Sequence, residues 1–173
     1  MRTLTFTVLL LFAAGSAFAQ SNDVQSLNVT MNLSAPTSCA ITVDRDLSLS
    51  GTLPSSGSAT FTADPTSGSF SASAGSIDEA NSALGEFSVN VSSPATLNLT
   101  APPTLVSSSG DAIPFAVSWA MNNGSTYQAI SGNSTTLQSG THSFRVGGTI
   151  TANANVQAGT YTSSIDIAVS CSN

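Results

Sequence analysis

The C-terminal part of the chain alternates apolar and polar residues with a period of two. From Gly159 onward, one set of alternate positions is apolar and the other is mostly Ser, Thr or Asp; the apolar set is Tyr161, Ile165, Ile167, Val169 and Cys171. This period predicts a strand with one buried face. The segment from Phe144 to Val156 also alternates, and residues 155–159 link the two. We therefore expect these two strands to form an antiparallel pair.

The same alternation recurs near the N-terminus and through the middle of the chain. Leu27, Val29, Met31 and Leu33 alternate with polar residues, and after an interruption at Pro36 a second strand is predicted from Cys39 to Val43. Further alternating runs lie at 47–53, 87–91, 97–99 and 113–121, separated by turn sequences rich in Gly, Pro, Asn and Ser. The pattern predicts an all-β chain.

The C-terminal motifs resemble those of a known family. The run Phe144-x-Val146-Gly147-Gly148-Thr149-Ile150, followed by Ala158-Gly159-Thr160-Tyr161-Thr162, resembles the C-terminal signature of an uncharacterised bacterial secreted family (domain of unknown function 4402). That family is similar in turn to spore coat protein U and to chaperone-usher fimbrial subunits. The resemblance implies one immunoglobulin-like (pilin-like) antiparallel β-sandwich over residues 20–173, with about seven to nine strands. It also implies a structural role and not a catalytic one.

The resemblance gives the first strand a candidate role. In fimbrial subunits the fold lacks its last strand, and an N-terminal extension of the neighbouring subunit fills the groove by donor-strand complementation. Residues 21–35 would be the donor segment here, with Leu27, Val29, Met31 and Leu33 as its apolar contacts. The acceptor side would be the terminal strand, through Tyr161, Ile165, Ile167 and Val169. An ordinary first strand of a self-contained domain has the same alternation. The sequence is therefore compatible with both interpretations, a donor strand and an ordinary first strand.

Residues 1–19 have the pattern of a secretory signal peptide. Arg2 precedes the apolar run from Leu4 to Ala14, and Ala17-Phe18-Ala19 forms a small-x-small cleavage pattern. The run is shorter than the roughly 20 residues that span a bilayer. We therefore expect a protein that is secreted or held at the cell surface after passing the periplasm, with no transmembrane segment.

Two cysteines, Cys39 and Cys171, lie near the ends of the exported part. Disulfides form and persist outside the cytoplasm, which favours a bond within the chain. A bond between chains and a free thiol are the alternatives. The two residues lack the spacing of a zinc site, and the chain has a single histidine, so we expect no metal site.

Charge is scarce, and this scarcity excludes several classes of function. Arg45 and Arg145 are the only basic residues after the leader, and the chain has no lysine. A nucleic-acid-binding face needs clustered basic residues, and a phosphate-binding loop needs a lysine. His142 has no Gly-x-Ser-x-Gly motif to act with. We expect no nucleic-acid partner, no catalytic residues, no cofactor and no enzymatic activity.

These observations predict an exported structural subunit of a surface filament or coat that polymerises by donor-strand complementation. Its partners would be further copies or other surface subunits, together with a periplasmic chaperone and usher. The alternative is a monomeric secreted or surface adhesion module that recognises a glycan or another surface protein through its loops. Tyr127, in the irregular region between Ser125 and Thr141, is the aromatic candidate for that contact.

Overall fold

The computed structural model describes residues 24–34 and 39–171, and these residues form an all-β structure, as predicted. The predicted signal peptide lies outside the described residues. A single 3-10 turn (Glu79–Asn81) accompanies fourteen strands in the described ranges. The strands are β1 (Val24–Ser34), β2 (Cys39–Arg45), β3 (Leu47–Thr52), β4 (Ser58–Ala63), β5 (Phe70–Ala72), β6 (Ser76–Ile77), β7 (Gly85–Val91), β8 (Ala95–Thr100), β9 (Thr104–Ser107), β10 (Ala112–Asn122), β11 (Tyr127–Ala129), β12 (Ser134–Leu137), β13 (Gly140–Asn153) and β14 (Thr160–Cys171).

The strands form one continuous, curled, mixed sheet. Its main path runs β2-β7-β13-β10-β9-β14-β1-β3-β6, with β4, β5, β8, β11 and β12 paired beside it. Strand β10 joins two halves, because residues 112–114 pair with β9 while residues 115–121 pair with β13. We call these the β13 half (β2, β4, β5, β7, β10, β11, β13) and the β14 half (β1, β3, β6, β8, β9, β12, β14). The strand count exceeds the predicted seven to nine because several short strands of two to four residues flank the long ones.

Apolar residues from both halves meet in one large core cluster. Phe144 of β13 stacks on Phe87 of β7, with ring centroids 4.7 Å apart, and on Trp119 of β10, at 5.9 Å. The indole Nε1 of Trp119 donates a hydrogen bond to the Gly132 carbonyl at 2.8 Å. Burial follows the alternation of the sequence in β7 and β14, whereas β10 also buries Ala120 on its other face.

The predicted pairing of the two C-terminal strands is wrong. Strand β13 pairs with β10, β7 and β4, whereas β14 pairs with β1, β8 and β9 in the described part of the chain. Residues 154–159 carry the chain from one half of the sheet to the other. Period-two alternation indicates which face of a strand is buried, but it does not indicate which strand is its neighbour. Two strands that each turn an apolar face to a shared core produce the pattern expected of a hairpin.

Within the described ranges, no helix has the length and hydropathy needed to cross a bilayer.

Candidate functional site

Strand β1 lies between β14 and β3 of its own chain. Residues 26–34 run parallel to residues 160–168 of β14, and residues 24–29 run antiparallel to residues 47–52 of β3. The backbone N–H of Ser26 donates to the Gly159 carbonyl at 3.3 Å, at the start of the parallel pairing. The described part of the predicted donor segment is therefore paired with strands of its own chain.

The pairing brings together the two sets of residues that were predicted as donor and acceptor. Leu27 lies opposite Tyr161, Met31 opposite Ile165, and Leu33 opposite Ile167. The acceptor residues Tyr161, Ile165, Ile167 and Val169 are each at most 4% exposed, and the donor residues Leu27, Val29 and Met31 are also buried. Leu33 differs, since it is 43% exposed.

Leu33 lies past the part of β1 that pairs with β3. The last pair between β1 and β3 joins Val29 to Leu47. Beyond this pair, β14 is the only described strand that pairs with β1. A single residue, Asp46, separates the end of β2 from the start of β3, so the chain changes halves of the sheet abruptly at this point. Met31, two residues past this last pair, is still buried, and exposure begins at Leu33, next to the end of β1.

Tyr161 anchors the beginning of β14. Its side chain is fully buried, and its hydroxyl donates to the Gln157 carbonyl at 2.9 Å. Burial, assisted by the negative charge of Asp111, raises the pKa of Tyr161.

The disulfide closes the other end of β14. Cys39 and Cys171 are bonded to each other, with Cα atoms 6.6 Å apart, so the predicted bond within the chain is confirmed. The bond joins the first residue of β2 to the last residue of β14 and so ties the two halves of the sheet together. A closed loop of this length stabilises a fold by up to about 4 to 5 kcal/mol on a chain-entropy model.

A second group of residues, on the β13 half, was not found from the sequence. Glu86 of β7 accepts hydrogen bonds from two guanidinium groups: from Arg45 Nη2 at 2.6 Å and from Arg145 Nε at 3.2 Å. Burial would raise the pKa of Glu86, but the hydrogen bonds and charges of Arg45 and Arg145 outweigh burial and lower it. Arg45 and Arg145, the two Lys or Arg residues of the described ranges, thus converge on one carboxylate.

Tyr127 belongs to this second group and is not an isolated loop aromatic. The guanidinium carbon of Arg145 lies 4.0 Å from the centroid of the Tyr127 ring, and Tyr127 is half-buried on β11. The group could not be predicted from the sequence, because it depends on strand register. Glu86 of β7 lies opposite Arg45 of β2 and opposite Arg145 of β13. The scarcity of basic residues was the one sequence signal that pointed to them.

Other candidate chemistry is sparse in the described residues. His142 Nε2 lies 2.8 Å from the Gln138 carbonyl oxygen, so its ring contacts backbone. Among residues 24–34 and 39–171, no three His, Cys, Asp or Glu side chains are grouped as metal ligands would be.

Comparison with known proteins assigns the chain to a family. No curated protein matches it. One family model, described as a domain of unknown function (DUF4402), matches residues 36–170, which include β2 to β13 and nearly all of β14. Since this match covers well over half of the chain, the protein belongs to the DUF4402 family.

Proposed function

We propose that the protein is an exported structural subunit of a surface filament or coat. In this proposal its β1 strand is exchanged between neighbouring subunits by donor-strand complementation. The proposal includes an immunoglobulin-like, pilin-like sandwich and a relationship to spore coat protein U and fimbrial subunits. The observation that carries it is the position of β1, an N-terminal strand that lies parallel to β14 along nine residue pairs.

The strand neighbours support the immunoglobulin-like plan. Such sandwiches have strands A, B, E and D in one sheet and C, F and G in the other. Strands β2, β7, β13 and β10 are neighbours in that order, which fits A, B, E and D; β8 and β14 fit C and F. Immunoglobulin domains carry a tyrosine near the start of strand F, and its hydroxyl bonds to the backbone a few residues upstream. Tyr161, at the start of β14, bonds in this way to the Gln157 carbonyl, which agrees with the assignment of β14 as F.

On this plan β1 occupies the position of strand G. An ordinary G strand follows F through a hairpin and runs antiparallel to it, whereas β1 comes from the other end of the chain and runs parallel to β14. The position is therefore filled by a segment that enters at the N-terminus and joins the rest of the domain through residues 35–38. A strand attached at one end can make the same contacts in a neighbouring copy, which would produce a head-to-tail filament.

Export and partners belong to the same proposal. The disulfide between Cys39 and Cys171 suits an oxidising compartment. A subunit whose β1 is withdrawn would expose the apolar residues of β14 and the backbone edges of β3 and β14. A periplasmic chaperone that covers this groove, and an usher that exchanges the chaperone for a neighbouring β1, would be the expected partners.

A disulfide that locks β1 to its own β3 tests the proposal. Asn28 and Ser48 are register partners. The Ser48 backbone N–H and carbonyl bond to Ala83, on the side away from β1. Asn28 and Ser48 are therefore a non-hydrogen-bonded pair, in which side chains lie closest. We expect the wild-type protein to form ladders or rods on slow incubation and the Asn28→Cys/Ser48→Cys protein to stay monomeric, as judged by light scattering and electron microscopy.

The single variants Asn28→Cys and Ser48→Cys are the matched controls and should assemble like the wild type under the same oxidising conditions. A truncation that lacks residues 20–35 should be unstable alone and regain stability when a peptide of residues 26–34 is added. Assembly of the locked double variant at the wild-type rate, or a wild type that remains monomeric at every concentration, contradicts strand exchange.

The second candidate is a monomeric adhesion module. The observation that favours it is the group formed by Arg45, Glu86, Arg145 and Tyr127, which gathers charge and an aromatic ring on one face of the β13 half.

A further inference from the structure

A small open cleft of about 160 Å³ lies beside the paired arginines. Its walls include Arg45, Gly68, Phe70, Leu84, Glu86 and Arg145. The geometry points to this cleft as a binding site for the carboxylate of an acidic sugar unit. The inference gives the second candidate function a ligand class and a location, and it does not depend on where β1 lies.

The electrostatics of the cleft favour an anion. Two guanidinium groups face one carboxylate, so the group retains a positive charge after Glu86 is paired. The full chain carries a formal net charge of −6, which makes this spot an exception on an acidic protein. A cleft with excess charge of one sign attracts ligands of the opposite sign.

Arg145 is held in a defined orientation. Its Nε donates to Glu86, and its planar group lies over the Tyr127 ring. Its Nη1 atom approaches Gly68, where an added Cβ would lie only 3.3 Å away. Gly68 has no side chain that would crowd Nη1, and both Gly68 and Arg145 line the cleft. A guanidinium that is already ordered loses less entropy when it binds a carboxylate in a two-point contact.

The walls favour a small ring over an extended peptide. Peptides that bind by strand addition need a free backbone edge. Two backbone segments that line the cleft are already engaged: Ala83 exchanges two hydrogen bonds with Ser48, and Gly68 N–H donates to the Asp64 carbonyl. What the cleft offers is side-chain charge, with Phe70 as one of the apolar residues in its wall. A sugar ring that carries one carboxylate matches both, since its C–H face suits an apolar wall and its acid pairs with arginine.

The Nε–Hε resonances of arginine test this inference in the full-length protein. The chain has three basic residues, all of them arginine, so the spectrum is simple. We expect sodium galacturonate at low ionic strength to shift the Arg45 and Arg145 signals, with half-saturation on the order of 1 mM. Galactose, which has the same ring without the acid, should leave them unchanged. N-acetylglutamate amide, a peptide-like acid, should bind at least fivefold more weakly than galacturonate.

Variants and a locked form separate the site from general effects. Arg145→Gln should weaken galacturonate binding tenfold or more, and Arg45→Gln, at a half-exposed strand end, should weaken it several-fold. Thr151→Ala, an exposed change elsewhere on β13, should bind like the wild type. The titration is repeated on the Asn28→Cys/Ser48→Cys protein, in which β1 stays in its own chain. Binding of galacturonate to this protein therefore tests the cleft whether or not strand exchange occurs.

Three results would overturn the inference. They are equal shifts from galacturonate and galactose, undiminished binding by both arginine variants, and tighter binding of N-acetylglutamate amide than of galacturonate. The last result would assign the cleft to a protein acid and not to a sugar.

Discussion

The backbone N–H of Met31 donates a hydrogen bond to Oδ1 of Asp46 at 3.3 Å. Met31 is the first residue on that side of β1 beyond the pairing with β3, which ends at Val29. Asp46 is the residue between β2 and β3, so its carboxylate replaces the acceptor that β3 would have supplied. The contact secures β1 to its own domain at the point where the cover of β3 ends.

Removal of this acceptor should loosen β1. We expect Asp46→Ala to lower the free energy of unfolding by about 0.5 to 1.5 kcal/mol, because one hydrogen bond to an exposed side chain is lost. Asp46→Asn keeps an acceptor oxygen and should lose less. Urea denaturation of the oxidised proteins measures both. Asp44→Ala, an exposed change two residues away, is the control; equal losses in Asp44→Ala and Asp46→Ala would contradict a specific role for the Met31 contact.

If β1 exchanges between subunits, the same variant should also assemble faster. Withdrawal of β1 would then be the slow step, and a weaker attachment lowers its barrier. Light scattering of Asp46→Ala and Asp46→Asn at equal concentration tests the order of the rates. A slower assembly of Asp46→Ala, despite its lower stability, would contradict withdrawal of β1 as the slow step.

The position of β1 was only partly predictable. Alternation identified Leu27, Val29 and Met31 as a buried face, and the structure agrees, but the same rule predicted burial of Leu33, which is 43% exposed. The period of a strand carries no information on where its neighbour ends. Leu33 lies four residues past the last β1–β3 pair and next to the end of β1, whereas Met31, two residues past that pair, is still buried.

The hydroxyl of Tyr161 should stabilise the fold, and its ionisation should lower that stability at alkaline pH. We expect Tyr161→Phe to lower the free energy of unfolding at pH 7 by about 1 kcal/mol, since the hydrogen bond to the Gln157 carbonyl is lost. The pKa of Tyr161 is raised in the folded state, so the native protein holds this proton more tightly than the unfolded chain. Stability should therefore fall as the pH rises above about 10, the ordinary tyrosine value.

Tyr161→Phe should lack that part of the alkaline loss, which urea denaturation between pH 8 and 11 would reveal. Tyr127→Phe is the control, because it keeps the ring that lies over Arg145 and leaves Tyr161 unchanged. An alkaline loss in Tyr161→Phe as large as in the wild type would contradict the assignment.

The glycine pair in the C-terminal motif has a packing explanation. A Cβ atom on Gly147 would overlap the Ala63 carbonyl oxygen and lie 2.9 Å from Cδ of Pro65. We expect Gly147→Ala to lower the free energy of unfolding by about 1 to 3 kcal/mol, the usual cost of overpacking. Gly159→Ala, where nothing lies within 4 Å of the added atom, should show no loss. Thermal unfolding compares the two, and equal melting temperatures for both variants would contradict the explanation.

The contact of Glu86 with Arg45 and Arg145 could not be predicted from the sequence. Arg45, Glu86 and Arg145 are distant in the chain, and each alone indicates an exposed strand position. Their contact depends on β7 lying between β2 and β13 with Glu86 in register with both arginines. The alternation predicted the strands themselves, but neither the order of neighbours nor the register, and the error over β13 and β14 has the same origin.

Glu86 should make stability depend on pH in the acid range. Its pKa is lowered in the folded state: burial opposes the shift, and Arg45 and Arg145 outweigh burial. The unfolded chain therefore binds the proton more readily, and the stabilising contribution is present above the ordinary glutamate pKa, about 4.3, and is lost as the pH falls through the lowered folded value. We expect Glu86→Gln to be less stable than the wild type at pH 7 and to show a flatter decline between pH 5 and 2, measured by urea denaturation. Glu79→Gln, in the exposed 3-10 turn, should retain the wild-type decline. A Glu86→Gln curve that runs parallel to the wild type down to pH 2 would mean that the two arginines do not hold this carboxylate ionised, and the preorganised cleft that depends on it would then lose its basis.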